Sequence, residues 1–143
     1  GGTGGEGTDA GGSTGEDAES GGPEDRFYRY LSTISKLSHY MFQELFPSEA
    51  ARFLRLFPQT DFGDEVRYLL GSHYEGRHMW EEAVIEYIKS AALYPDPKRK
   101  AEAILKAAII MDEILGRGSY AERYYRRLID EFPDSSEAEV SRK

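Results

Sequence analysis

His73, Glu75 and His78 are residue types that hold divalent metals, and they lie close together in the chain. Ligands on one helical face need a spacing of three or four. The two histidines are five apart, with Gly76 between them. Gly76 is expected to end a helix in the left-handed conformation, so both read as surface or helix-terminal histidines. His39 has no evident partner in the sequence. Gly2-Thr3-Gly4-Gly5-Glu6-Gly7 has the G-x-G-x-x-G spacing of a dinucleotide loop. That chemistry needs a strand before the loop and a helix after it. Neither flanks these residues, which read as linker. Arg123, Arg126 and Arg127 form a basic strip, with Lys98, Arg99 and Lys100 ahead of the preceding helix. A phosphate or an acidic peptide would suit such a strip. A solvated face paired with Glu122, Asp130 and Glu131 is the simpler reading, and a contact with the acidic tail is a third. Glu81 and Glu82 are adjacent, so on a helix they point apart and cannot share acid–base work. No nucleophile elbow, metal-spaced cluster or phosphate loop stands between a strand and a helix. The expectation is a protein without enzymatic activity and without a cofactor.

These candidates lie on a chain of 143 residues with no cysteine, which excludes disulfides and thiolate metal sites. Its charge is uneven. Residues 1–25 carry seven acids and no base, leaving 19 acids and 18 bases in the rest. The net of −8 is therefore almost entirely a property of the first 25 residues. A balanced remainder argues against nucleic acid as a partner, because phosphate binding needs a concentrated basic face. No apolar run reaches the ~18–20 residues that span a bilayer.

Residues 1–25 hold ten of the fifteen glycines and no aromatic or large aliphatic residue. They cannot bury enough apolar surface to offset the entropy of ordering, and read as a disordered acidic linker. Helical periodicity dominates the remainder, residues 26–143. Phe27, Tyr30, Leu31, Ile34, Leu37, Tyr40, Met41 and Leu45 mark one continuous apolar face. Pro47 suits a first helical position, opening a short second helix over 48–57. Asp61 is the expected cap of a third helix, which carries Val66, Leu69, Leu70 and Tyr74. A fourth runs over about 79–93 and a fifth starts near Pro97. Residues 116–118 break the fifth. Ser119 is expected to cap a sixth helix over 119–132, and Ser135 or Ser136 a partial seventh. The class is all-α, with antiparallel helices joined by short loops. Tyr74, Tyr87 and Tyr125 are expected in the core. Tyr28, Tyr30, Tyr68, Tyr94 and Tyr120 are freer for contact, although core packing is the simpler reading for each.

An aromatic-proline ending recurs. Phe57-Pro58, Tyr94-Pro95 and Phe132-Pro133 fall 37 and 38 residues apart, and Ala83 and Ala121 each lie twelve positions before a proline. Leu70, Gly71, Tyr74, Ala83, Tyr87 and Pro95 have the types and spacings of the tetratricopeptide repeat, which this chain resembles over 26–143. Gly71 and Ala83 would be small because paired helices cross there. The units would be about 26–58, 59–95 and 96–133. The first keeps little beyond Phe57-Pro58. In the third, Ala121, Tyr125 and Pro133 fit the second helix. Ala108 and Met111 take the glycine and tyrosine positions only if the loop at 116–118 carries about one extra residue.

The resemblance implies a right-handed superhelix of antiparallel pairs, about six helices plus the partial one, whose first helices line a concave face. By repeat register that face would present Glu65, Tyr68, Ser72, Glu75, Glu102, Leu105, Ile109 and Asp112. Such a groove is acidic with an apolar floor, and suits a basic or apolar helix or extended segment of another protein. Repeats that clamp the C-terminal carboxylates of heat-shock chaperones place Lys, Asn and Arg there. This chain has Tyr68 and Ser72, so binding of that tail is not expected. Phe132-Pro133-Asp134-Ser135-Ser136-Glu137-Ala138 is similar to the repeats of bacterial outer-membrane protein assembly lipoproteins and the Tol-Pal-associated periplasmic coordinator. That likeness implies an adaptor or assembly factor at the periplasm or the inner face of the outer membrane, the alternative place being the cytoplasm. It would meet the membrane only through a lipid anchor whose cysteine is not in this chain. The alternative is a structural subunit of a larger complex, stacking through its terminal helices.

Overall fold

The computed structural model describes residues 21–143, and among them every regular element is helical. Seven α-helices follow one another: α1 Gly22–Ser35, α2 Tyr40–Leu56, α3 Gly63–Gly76, α4 Trp80–Leu93, α5 Pro97–Ile109, α6 Gly118–Glu131 and α7 Ser136–Ser141. A π turn, Ile110–Ile114, extends α5. Each helix packs on the one before it, α1 also meets α3, and α5 also meets α7. The short joints force successive helices to reverse direction. The dinucleotide-like glycines and most of the acidic linker fall on residues 1–20, outside the described residues.

The first helix starts earlier than its apolar pattern does. Pro23 sits in the first turn with Glu24 and Asp25, inside the stretch read as linker. Proline loses nothing at a position with no intrahelical N–H bond, and carboxylates complement the positive helix end. Glu24 also accepts a hydrogen bond from the Thr60 hydroxyl, tying α1 to the joint before α3.

The boundary between the first two helices corrects the sequence reading. The chain leaves helix after Ser35 and restarts at Tyr40, and Pro47 lies inside α2 rather than at its start. Apolar periodicity misled because Leu37, Tyr40 and Met41 are 39, 72 and 56% exposed. They continue the pattern without facing the core. His39 caps α2, its Nδ1 accepting from Met41 N–H at 3.1 Å.

Other helix ends differ too. Asp61 does not cap α3; the Thr60 hydroxyl accepts from Phe62 N–H at 3.0 Å one position earlier. Gly76 stays helical, and His78 takes the positive φ of 59° in the α3–α4 turn. Its ring stacks on Trp80, 5.1 Å between centroids. Gly116 turns the chain after the π turn with φ 66°, while Gly118 already belongs to α6 and Ser119 does not cap it. Ser135 does cap α7, accepting from Ala138 N–H at 3.0 Å. Asp96 caps α5, accepting from Lys98 N–H at 3.0 Å, with Pro97 in the first turn. Removing that acceptor leaves a helix-end donor unpaired. Asp96→Ala is expected to lower unfolding free energy by about 1 kcal/mol, read as a shifted urea midpoint at unchanged slope.

Three apolar clusters form the core. Leu31, Ile34, Phe46, Phe53 and Val66 join α1, α2 and α3. Val84, Tyr87, Ile110 and Ala121 join α4, the π turn and α6. Ala91, Tyr94, Ile104 and Leu128 join α4, α5 and α6. Each fully buried large side chain contributes roughly 1.5–3 kcal/mol of transfer free energy.

Gly71 is small for a measurable reason. A Cβ there would stand 2.8 Å from two carbons of the Tyr87 ring. The close approach is thus between the α3 backbone and an aromatic face on α4. The end of α5 departs from α-helical spacing. A π turn takes one more residue than an α turn, and Leu115 N–H donates to Ile110 O at 3.0 Å across five positions. This irregularity lies ahead of the loop at 116–118, where the repeat resemblance would need one extra residue.

Candidate functional site

Glu65, Tyr68, Ser72 and Glu75 step by three, four and three along α3, so they share one face. Glu102, Leu105 and Ile109 repeat that pattern on α5, with Asp112 beyond them in the π turn. The structure divides these eight residues into three groups.

Glu65, Tyr68 and Glu102 meet around Arg99, from the first turn of α5. Arg99 Nη2 donates to both Glu65 oxygens, at 2.8 and 3.0 Å. Its Nη1 donates to Glu102 Oε1 at 2.8 Å. The guanidinium carbon lies 4.9 Å from the Tyr68 ring centroid and 5.2 Å from that of Tyr94. Tyr94 Oη donates to Glu65 at 2.8 Å, and Tyr68 Oη donates to Glu102 at 3.4 Å. Burial, then the Glu102 charge, pushes the Tyr68 phenol up to about 12. Burial disfavours the charged Arg99, but the Glu65 bond and the Tyr94 contact outweigh it and raise its pKa.

Ser72 and Glu75 converge on Tyr87. The Tyr87 hydroxyl donates to Glu75 Oε1 at 2.6 Å and lies 3.2 Å from the Ser72 hydroxyl. The ring is wholly buried. Ser72 itself is exposed and borders a hollow of about 250 Å³ with Ser35, Lys36, Gln43 and Leu69.

Leu105 packs against the third core cluster. Ile109 and Asp112 border a different hollow, of about 670 Å³, with Tyr125, Ile129 and Val140. Tyr125 Oη donates to Asp112 at 3.4 Å, and burial followed by the Asp112 charge pushes that phenol up to about 12. Three of the four acids on this face are therefore held by Arg99 or by the Tyr87 hydroxyl.

Arg99 and Tyr94 join this face, and the sequence reading does not place them on it. The sequence reading groups Arg99 with Lys98 and Lys100 as solvated, but its side chain reaches back to Glu65 on α3. Tyr94, for which core packing is the simpler reading, is 4% exposed. Tyr28 stacks on Phe62 with centroids 4.1 Å apart, whereas Tyr30 and Tyr120 are exposed. The signal for Arg99 was faint: it lies 34 positions after Glu65, as Glu102 lies 34 after Tyr68.

The histidines have local roles. His73 rests on Phe46, 5.6 Å between centroids, and burial followed by the Arg77 charge lowers its pKa. On the basic strip, Arg126 pairs with Glu122 at 3.6 Å and Arg127 with Glu131 at 3.0 Å. Arg123 lies 5.8 Å from the Tyr120 ring. Among the described residues, no three His, Asp or Glu side chains gather where a metal would fit. None of their helices is long and apolar enough to cross a membrane. No family model, curated protein or solved structure matches this chain.

Proposed function

We propose that this protein is a non-enzymatic interaction module of the tetratricopeptide type, acting as an adaptor or assembly factor. Its helix pairs stack in a right-handed superhelix, and the faces of α3 and α5 form a groove for a basic or apolar segment of another protein. The observation that carries this reading is the meeting of α3 and α5 through side chains alone. Arg99–Glu65 and Tyr68–Glu102 span the two helices, while α4 packs against both. The first helices of successive repeats would then line one side, with their partners behind. The place of action is the bacterial envelope, on the likeness of residues 120–138 to envelope repeats.

A second reading has its own support. Leu37, Tyr40 and Met41 are exposed at one end of the array, and Val140 is 46% exposed at the other. A structural subunit would cover such residues by stacking on its neighbours.

One capture experiment separates the two. Ser72→Arg puts a long cationic side chain on the α3 face from an exposed position, and Tyr40→Ser/Met41→Ser removes the terminal apolar residues. Groove binding predicts that a protein crosslinked to the wild type from an envelope extract is lost with Ser72→Arg and kept with the terminal variant. The opposite result transfers the function to end stacking.

A further inference from the structure

Arg99 is held by the set of groups that would hold any guanidinium. Two carboxylates fork it, a phenol oxygen accepts a further bond at 3.1 Å, and two aromatic rings flank it. Planar donors matched to carboxylates, together with ring faces, distinguish arginine from lysine. The cluster is open to water: the side chains of Arg99, Glu65 and Glu102 are 32, 35 and 39% exposed. Glu65 and Tyr68 belong to α3, Tyr94 to the end of α4, and Arg99 and Glu102 to α5. Arg99 extends from a first helical turn, next to exposed Lys98 and half-exposed Lys100. It can therefore swing into solvent without burying its charge elsewhere. Two carboxylates and two rings would remain, with no cation between them.

We propose that Glu65, Glu102, Tyr68 and Tyr94 form an arginine-accepting cage, that Arg99 is its built-in occupant, and that an arginine of the bound segment competes with it. The partner rests on the groove reading above; the chemistry of the cage does not. A tethered side chain acts at an effective concentration on the order of millimolar or more. Free arginine therefore does not displace it, whereas a segment with further groove contacts does. The occupant makes recognition conditional, because a partner must supply both an arginine and the surrounding contacts.

The test empties the cage in the full chain and offers it small probes. Arg99→Ala is expected to bind N-acetyl-arginine amide at least about tenfold more tightly than the wild type does. Binding is read from shifts of the tyrosine ring resonances and from a raised melting temperature. N-acetyl-lysine amide should bind the variant clearly less well. Adding Glu65→Gln and Tyr68→Leu to Arg99→Ala should abolish the response. Arg99→Lys is the second variant: it keeps a cation near Glu65, so it is the milder change for folding, and it loses the fork. It too should prefer the arginine probe. An equal response to both probes in both variants, or a wild-type response equal to theirs, overturns the cage. Loss of partner capture with Ser72→Arg, without arginine preference here, would leave the groove reading and remove the cage. Arginine preference with capture unaffected by Ser72→Arg would do the reverse.

Discussion

Tyr87→Ala is expected to lower the unfolding free energy by about 3–5 kcal/mol. The ring is wholly buried, packs under Gly71, and lies 5.3 Å from the Tyr68 ring. Its removal leaves a cavity at the α3–α4 crossing and strips Glu75 and Ser72 of their shared partner. For a domain of ordinary stability, about 5–15 kcal/mol, this takes away a large fraction. Tyr87→Phe keeps the ring and removes the hydroxyl, so it should cost only about 0.5–1.5 kcal/mol. Gly71→Ala should cost about 1–3 kcal/mol through overpacking, set against a gain of about 0.8–1 kcal/mol from helix propensity. The sharper result is the double variant. Without the ring, the added methyl meets open space, so Gly71→Ala should become neutral or stabilising in the Tyr87→Ala background. Urea unfolding followed by circular dichroism gives all four values. A penalty for Gly71→Ala that is the same in both backgrounds would show that the methyl and the ring do not meet.

Alkaline pH is expected to unfold this protein steeply. Burial, followed by hydrogen bonding to Glu75, raises the Tyr87 pKa well above the ordinary value of 10. Burial and the bond to Glu65 do the same for Tyr94. A phenolate cannot donate to a carboxylate, and both residues are buried. Tyr68 and Tyr125 are pushed up to about 12. The unfolded chain releases these protons near pH 10 while the folded chain keeps them. Stability from this source is thus fully present below pH 10 and is lost as pH rises toward the folded values. Each buried tyrosine contributes a slope of about 1.4 kcal/mol per pH unit. Tyr87 and Tyr94 together give about 3 kcal/mol per unit in that window. Urea midpoints between pH 8 and 11.5 measure the slope, and absorbance at 295 nm follows the phenolates. The buried phenols should ionise in the same transition that removes the helix signal, and Tyr87→Phe should flatten the slope by about one proton. A stability unchanged across pH 10 to 11.5 would contradict this account of the phenols.

Much of the fold was legible because it follows from local sterics. Gly71 and Ala83 announced a close crossing, and the structure places the Tyr87 ring over Gly71. The joints near Pro58, Pro95 and Pro133 followed from aromatic-proline endings. What failed was any rule that needs to know which apolar residues face inward. Leu37, Tyr40 and Met41 kept the helical period but are exposed, so α1 and α2 were merged and Pro47 was misplaced. The caps failed similarly: Asp61 is a capping type, yet α3 starts behind Phe62 with no side-chain cap, and only the path of the chain decides that.

The candidate face shows the same division. Its register came from helical spacing, which is local, so Glu65 and Tyr68 share one side of α3 whatever surrounds them. By itself the sequence determined the all-α class, most helices, the crossing at Gly71 and the acidic character of the α3 and α5 faces. These depend on residue types and on contacts within a turn or a hairpin. Only the tertiary structure decided that Arg99 crosses to Glu65, that Tyr94 covers it, and that Glu75 is held by Tyr87. Those partners are 12 to 34 residues apart. Whether their side-chain tips meet depends on how α3, α4 and α5 cross, and a shift of a few ångströms in that packing separates them.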